Sequence, residues 1–218
     1  MEFLQHIDNY CERTDFTLFS EPLNAATNLA FIVAAWFLWQ EYKKRGMHDT
    51  AVFSLTVMIA VIGMGSALFH LFANYITMLA DVAPIVFFVI YYLWVAQRTL
   101  LNMSSMQAAL GLCAFFFFSW LMGKAPDAYS FNGSIAYFPC IMALMVVAAL
   151  LKKRSHPATR LLVRASALLI VSLTFRSIDM QLCDTLPIGT HFLWHILNGT
   201  VLYTLTRAIL EQKSTHVN

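Results

Sequence analysis

An all-α membrane protein is what this sequence predicts: a seven-transmembrane helix bundle with its N-terminus outside and its C-terminus cytoplasmic. Three observations predict it. Of 218 residues, 59% are hydrophobic and only 12% are charged, with a mean hydropathy of +0.65. A water-soluble domain is normally about a quarter charged and less than half apolar. The apolar residues fall into runs, each approaching the roughly 20 residues that cross a bilayer, and lysine and arginine favour alternate connections between those runs. The small net charge of +2 offers no basic field to a phosphate backbone, which excludes nucleic acid as a partner.

The spans, in order, are Asn24–Trp39, Ala51–Phe72, Ile76–Ala96, Met106–Met122, Ser134–Leu151, Leu161–Ser177 and Gly189–Ile209. Their connections are short, so the whole chain, 1–218, reads as a single membrane domain. Residues 1–23 form an extracytoplasmic segment, 24–209 the helices and 210–218 a cytoplasmic tail. The first twenty residues carry Glu2, Asp8, Glu12 and Asp15 and lack the basic start and apolar stretch of a signal peptide, so they read as retained structure. Gly63 and Gly65 in the second span permit close helix contact, and Pro84 in the third can bend its helix or free a carbonyl.

Charge sets the orientation. With seven spans, Lys43, Lys44, Arg45, Arg98, Lys152, Lys153, Arg154, Arg160, Arg164, Arg207 and Lys213 share one side, and only Arg13, Lys124 and Arg176 take the other. The richer side is cytoplasmic. The end of span 2 and the starts of spans 1, 3 and 7 therefore meet at the outer face.

Polar residues at that depth are the candidates for chemistry. Three of seven histidines, His70, His191 and His195, lie within spans, where an ionisable group is costly and faces a bundle interior or cavity. His191 and His195 are one helical turn apart on one face. With His70 near the outer end of span 2, they would make a three-histidine zinc site with an open position for water. Helix-contact hydrogen bonding is the plainer alternative. Ser66 precedes His70 by a turn, and Asp81 begins span 3 on the same side. A carboxylate there could accept a proton or orient a histidine, and a hydroxyl could donate to an oxyanion. The alternatives are a serine bonded to its own helix and a carboxylate placed by the helix dipole. Glu21, Asn24 and Asn28 form E-x2-N-x3-N, with Asn9, Glu12 and Asp15 upstream. Such oxygens suit a hard cation such as calcium, or capping and interhelical hydrogen bonds. Trp194 reads as an interfacial anchor, and Cys113 and Cys140 as small apolar packing residues. Cys11 and Cys183 both fall in outer segments, where an oxidising compartment permits a disulfide bond.

In order and topology these residues resemble the alkaline ceramidases, within a superfamily that includes adiponectin-receptor-like proteins. The resemblance covers nearly the whole chain. It rests on Cys11-Glu12, the E-x2-N-x3-N of Glu21, Asn24 and Asn28, the S-x3-H of Ser66 and His70, Asp81, Asp179 four residues before Cys183, and the H-x2-W-H of His191, Trp194 and His195. It implies zinc on His70, His191 and His195, catalytic assistance from Ser66 and Asp81, and a Cys11–Cys183 disulfide. It also implies calcium near the N-terminus, drawing on Asn9, Tyr10, Glu12, Thr14 and Glu21. Here the chain departs from the family. Asn9 stands where an aspartate is usual, Thr14 replaces a polar amide, and the stretch to Glu21 is two residues shorter.

The short loops are similar to those of compact bacterial members, which implies a bacterial inner membrane, with the site on its extracytoplasmic side. The function so implied is zinc-dependent hydrolysis of the N-acyl amide of a ceramide-like membrane lipid. Hydrolysis of a phospholipid or lysolipid ester, and a receptor or sensor with structural zinc, are the alternatives.

Overall fold

The computed structural model describes residues 4–126 and 130–214. Eight α-helices follow one another: α1 (Pro22–Thr27), α2 (Leu29–Lys44), α3 (Thr50–Phe72), α4 (Tyr75–Thr99), α5 (Ser105–Met122), α6 (Phe138–Lys153), α7 (Thr159–Ile178) and α8 (His191–Ser214). A 3₁₀ turn, Ser134–Tyr137, leads into α6, so the run expected to begin at Ser134 becomes α-helical only from Phe138. The first span is interrupted once, at Asn28, between α1 and α2. The last helix extends past Ile209 to Ser214, which gives the first residues of the expected tail to α8. The remainder of that tail, 215–218, lies outside the described residues.

Among the described residues, six helical stretches are long and apolar enough to cross a membrane: Pro22–Lys44 taken together, α3, α4, α5, Ser134–Lys153 and α7. Large apolar side chains point outward from them, among them Trp36, Phe87, Phe117 and Trp120, each more than half exposed. In water such a surface would aggregate, whereas in lipid it is the solvated face. The protein is a membrane protein. α8 falls short of that apolarity because it carries His191, His195 and Asn198 inward. It packs against α7, α2, α3, α1 and α4 and so occupies the middle of the bundle. α5 is peripheral, with Ala108 its one buried residue. Cys113 consequently faces outward rather than packing inside as expected, while Cys140 is partly buried against the core.

Helix ends are set by local chemistry. Asp49 caps α3 by accepting from Val52 N at 3.0 Å, and Asn74 and Ser104 form capping boxes at α4 and α5. At the lysine-rich end, Lys213 Nζ lies 3.0 Å from Asp49 Oδ2, and Tyr203 donates to Glu41 at 2.5 Å. These contacts tie the end of α8 to α2 and α3.

The glycines expected to bring helices together do so. A Cβ at Gly65 would stand 2.0 Å from the Ala80 carbonyl oxygen, and one at Gly63 would stand 2.8 Å from Phe31 Cβ. Ala80 is four residues before Pro84, whose missing N–H leaves that carbonyl without its helical donor. The freed oxygen packs on Gly65, where weak Cα–H contacts are available. This close approach of α3 and α4 brings Ser66 beside Asp81.

Candidate metal centre

Ligand nitrogens of His70, His191 and His195 all lie within 4.8 Å of one another, and all three residues are buried. His191 and His195 share a face of α8, as their spacing requires, and α3 delivers His70 from the end of its last turn. His70 Nε2 and His195 Nε2 are 3.1 Å apart. The outer nitrogens are engaged: His70 Nδ1 contacts Glu21 Oε2 at 2.6 Å, and His195 Nδ1 contacts Thr27 Oγ1 at 3.0 Å. The Thr27 hydroxyl reaches the Leu23 carbonyl at 2.8 Å, leaving its lone pairs to receive the His195 N–H. Both ε nitrogens are thereby left as lone-pair donors facing each other, the tautomer a metal requires. His191 Nδ1 is buried without a hydrogen-bond partner. Three convergent imidazoles and an orphaned ring nitrogen fit a metal ion such as zinc.

The N-terminal segment lies over this cluster. Ile7 N donates to the Ala73 carbonyl at 2.8 Å. The Tyr10 ring stacks on His191 with centroids 3.6 Å apart. Cys11 and Cys183 are joined by a disulfide, S–S 1.94 Å. Asp179 is fully buried; its Oδ1 accepts from Thr190 N at 2.6 Å and His191 N at 2.9 Å, and its Oδ2 from Cys11 N at 3.0 Å. It therefore satisfies donors at the start of α8, which no helical carbonyl can reach, and ties them to the disulfide. Gly189 makes this possible: its φ is +61°, and a Cβ there would lie 2.1 Å from Asp179 Oδ1. Asp179→Ala strips an acceptor from three N–H groups, each bond to a charged group being worth about 1.5–3 kcal/mol. The expected result is a lower Tm in detergent, with no change for the exposed Asp184→Ala. Equal melting of the two variants would contradict this role.

A cavity opens beside the triad, lined by Asn9, Tyr10, Ser66, Asp81, Arg176 and His191, with Trp194 and Tyr137 in its wall. The Ser66 hydroxyl lies against the Asp81 carboxylate; among the described hydrogen bonds it makes none to its own helix. Trp194 is buried, edge-on to Tyr137 with centroids 5.1 Å apart. It is therefore a cavity wall and not the interfacial anchor expected, because its side chain lies on the inward face of α8, which packs among five other helices. Arg176 stands among the rings of Tyr10, Tyr137 and Trp194, within 5.8 Å of each centroid. It donates to the Tyr10 hydroxyl at 2.7 Å. Burial pushes the Tyr10 phenol up, against the pull of Arg176.

The residues expected around calcium are placed differently. Glu12 caps α1, its two oxygens accepting from Leu23 N at 2.7 Å and Asn24 N at 2.8 Å. Burial raises its carboxyl even so. Glu21 is buried, with Oε1 taken by Arg13 Nε at 2.6 Å and Oε2 shared by His70 and Asn24 Nδ2. Burial pushes the Glu21 carboxyl up, but hydrogen bonds from His70 and Asn24 and the charge of Arg13 outweigh it and hold it below the usual range. The Tyr10 carbonyl accepts from Arg13 N at 3.2 Å, Asn9 faces the cavity, and Thr14 is exposed. A calcium ion takes six to eight oxygens. Here the Glu12 and Glu21 oxygens already hold N–H donors, and the Arg13 guanidinium takes one oxygen of Glu21, so this set does not fit one. Asn28 Nδ2 donates to the Asn24 carbonyl at 2.9 Å, bracing the junction of α1 and α2.

Thr27, Arg13 and Arg176 are the residues that reading the sequence missed. Thr27 carries no signal in a run of apolar and polar residues. The arginines do: they are two of only three cations on the poorer side of the charge count.

Fold and site together define a membrane protein whose buried three-histidine cluster could hold a metal ion beside an acid and a hydroxyl. The chain belongs to the ceramidase family, whose model, Ceramidase, matches residues 7–216. Membership implies a hydrolase acting on amide bonds, with a lipid substrate. No curated protein matches the sequence.

Proposed function

We propose that this protein is a zinc-dependent intramembrane hydrolase that cleaves the N-acyl amide of a ceramide-like sphingolipid to fatty acid and sphingoid base. The observation that carries the reading is the convergence of three buried histidines beside a cavity lined by Ser66 and Asp81. His70, His191 and His195 would hold the zinc. A zinc ion bound there supplies Lewis-acid activation, lowering the pKa of a water toward about 7. Asp81 takes the proton of the attacking water and returns it to the leaving amine. Ser66 donates to the oxyanion as the carbonyl becomes tetrahedral. Ile85 and Tyr137 also line a second, apolar cavity with Phe88, Tyr92, Leu144 and Leu202, suited to an acyl chain.

In this reading α8 is the seventh span and residues 1–218 are one domain in a bacterial inner membrane, N-terminus outside. The site then faces the extracytoplasmic side, supported by the lysine-rich opposite end and by a disulfide at the site's own end.

The test is metal content together with mass spectrometry of products from a mixed ceramide and phospholipid panel. One zinc per chain and release of sphingoid base is the expected result. Release of fatty acid from phospholipid alone would move the reading to an esterase. Asp81→Asn is expected to keep its zinc and lose hydrolysis by about 10²- to 10⁴-fold; a variant that keeps full turnover removes Asp81 from the mechanism.

A further inference from the structure

Arg13 is one of the few charged side chains fully withdrawn from the surface, with 1% of its side chain exposed, against 2% for its partner Glu21. Each arm of its guanidinium has an acceptor. Nε bonds Glu21 Oε1 at 2.6 Å, Nη1 bonds the Asp15 carbonyl at 3.0 Å, and Nη2 bonds the His70 carbonyl at 2.8 Å. The His70 carbonyl lies in the last turn of α3, where no helical N–H remains to serve it. Arg13 thus reaches His70 twice: directly at its main chain, and through Glu21 at its Nδ1.

We propose that Arg13 is the built-in cation of this site, taking the part that calcium would play and positioning His70 through Glu21. The physical case is charge and direction. A buried carboxylate needs a compensating charge, and Glu21 receives a permanent one from Arg13. A calcium ion would satisfy the same carboxylate without a directed fork, and would have to draw its six to eight oxygens from atoms already engaged. The guanidinium instead suits one carboxylate oxygen and two carbonyls, all fixed in direction. It joins the N-terminal segment to α3 at the turn that carries a candidate metal ligand. Arg13 is a positioning residue, since it touches His70 from behind and does not line the cavity.

The role of Arg13 toward metal affinity rests on the proposed zinc site; independence of calcium does not. The native protein in detergent, titrated calorimetrically with calcium chloride, is expected to take up no calcium and show no rise in Tm. Stoichiometric calcium uptake would overturn the inference whatever the enzyme's activity. Zinc affinity, measured by competition with a chromophoric chelator, is expected to fall about 10- to 100-fold in Arg13→Gln, the range for partners behind a metal ligand. Arg13→Lys, which keeps the charge and loses the fork, is expected to recover part of that loss. Undiminished zinc affinity in Arg13→Gln would overturn the positioning role. If that variant does not fold, the calcium titration of the native protein still decides whether a cation is already in place.

Discussion

Replacing His195 with alanine is expected to abolish zinc binding and amide hydrolysis together. His195 is fully buried, and its Nε2 lies 3.1 Å from that of His70. Removing it leaves two imidazoles, fewer than the three protein ligands of a catalytic zinc site. The loss should appear as zinc content near zero after dialysis, with product at the level of the blank. Thr27 would lose its ring partner, and the cavity left by the ring would cost stability as well. His195→Gln fills more of that volume and separates the two effects: it should fold and still hold no zinc. Hydrolysis that survived in zinc-free protein would remove the metal from the mechanism altogether.

Glu21→Ala is expected to have the largest effect on stability. Glu21 neutralises Arg13 and accepts from His70 and Asn24, all within 3.0 Å. Deleting one partner of a buried ion pair leaves the other charge uncompensated, at a cost of about 3–5 kcal/mol. Two further polar groups lose their acceptor, adding desolvation that no water readily repairs. The variant should melt well below the native protein in detergent and bind zinc weakly, because nothing then fixes the His70 ring. Glu21→Gln keeps an acceptor oxygen and loses the charge, so it should fall between the two. A Glu21→Ala protein with native Tm would mean that Arg13 finds another partner or reaches water.

Both effects hinge on contacts of very different legibility. His191 and His195 announce themselves, since imidazoles four residues apart share a face in any helix. Their placement inside an apolar run marks them further, because the bilayer makes such groups expensive. Ser66 and Asp81 were legible for the same reason, and Gly65 gave notice that α3 and its neighbour would approach closely. Glu21 was visible as a carboxylate near the outer face, but its partners were not. His70 is 49 residues away and Arg13 is eight, and no periodicity connects them. The resemblance placed calcium there, on residue types alone; in the structure Glu21 meets the Arg13 guanidinium at 2.6 Å.

Trp194 shows the same limit from another side. An aromatic near the end of an apolar run is a fair interfacial anchor, until the helix that carries it proves to be central. α8 is central because α7, α2, α3, α1 and α4 surround it, which also explains why its polar residues are tolerated.

Composition and residue pattern place this chain in a membrane as helices, and mark roughly where each helix runs and which ionisable residues lie at membrane depth. Those are local quantities: hydrophobic length and the cost of a polar group depend on a residue and its near neighbours along one helix. Which groups meet is set by the packing of the helices against one another. It puts Glu21 behind His70, Thr27 behind His195, Asp179 beneath the start of α8, and Arg13 between Glu21 and the His70 carbonyl. Such pairs form between segments far apart in the chain, where a hydrogen bond depends on a few tenths of an ångström that only the packed helices fix.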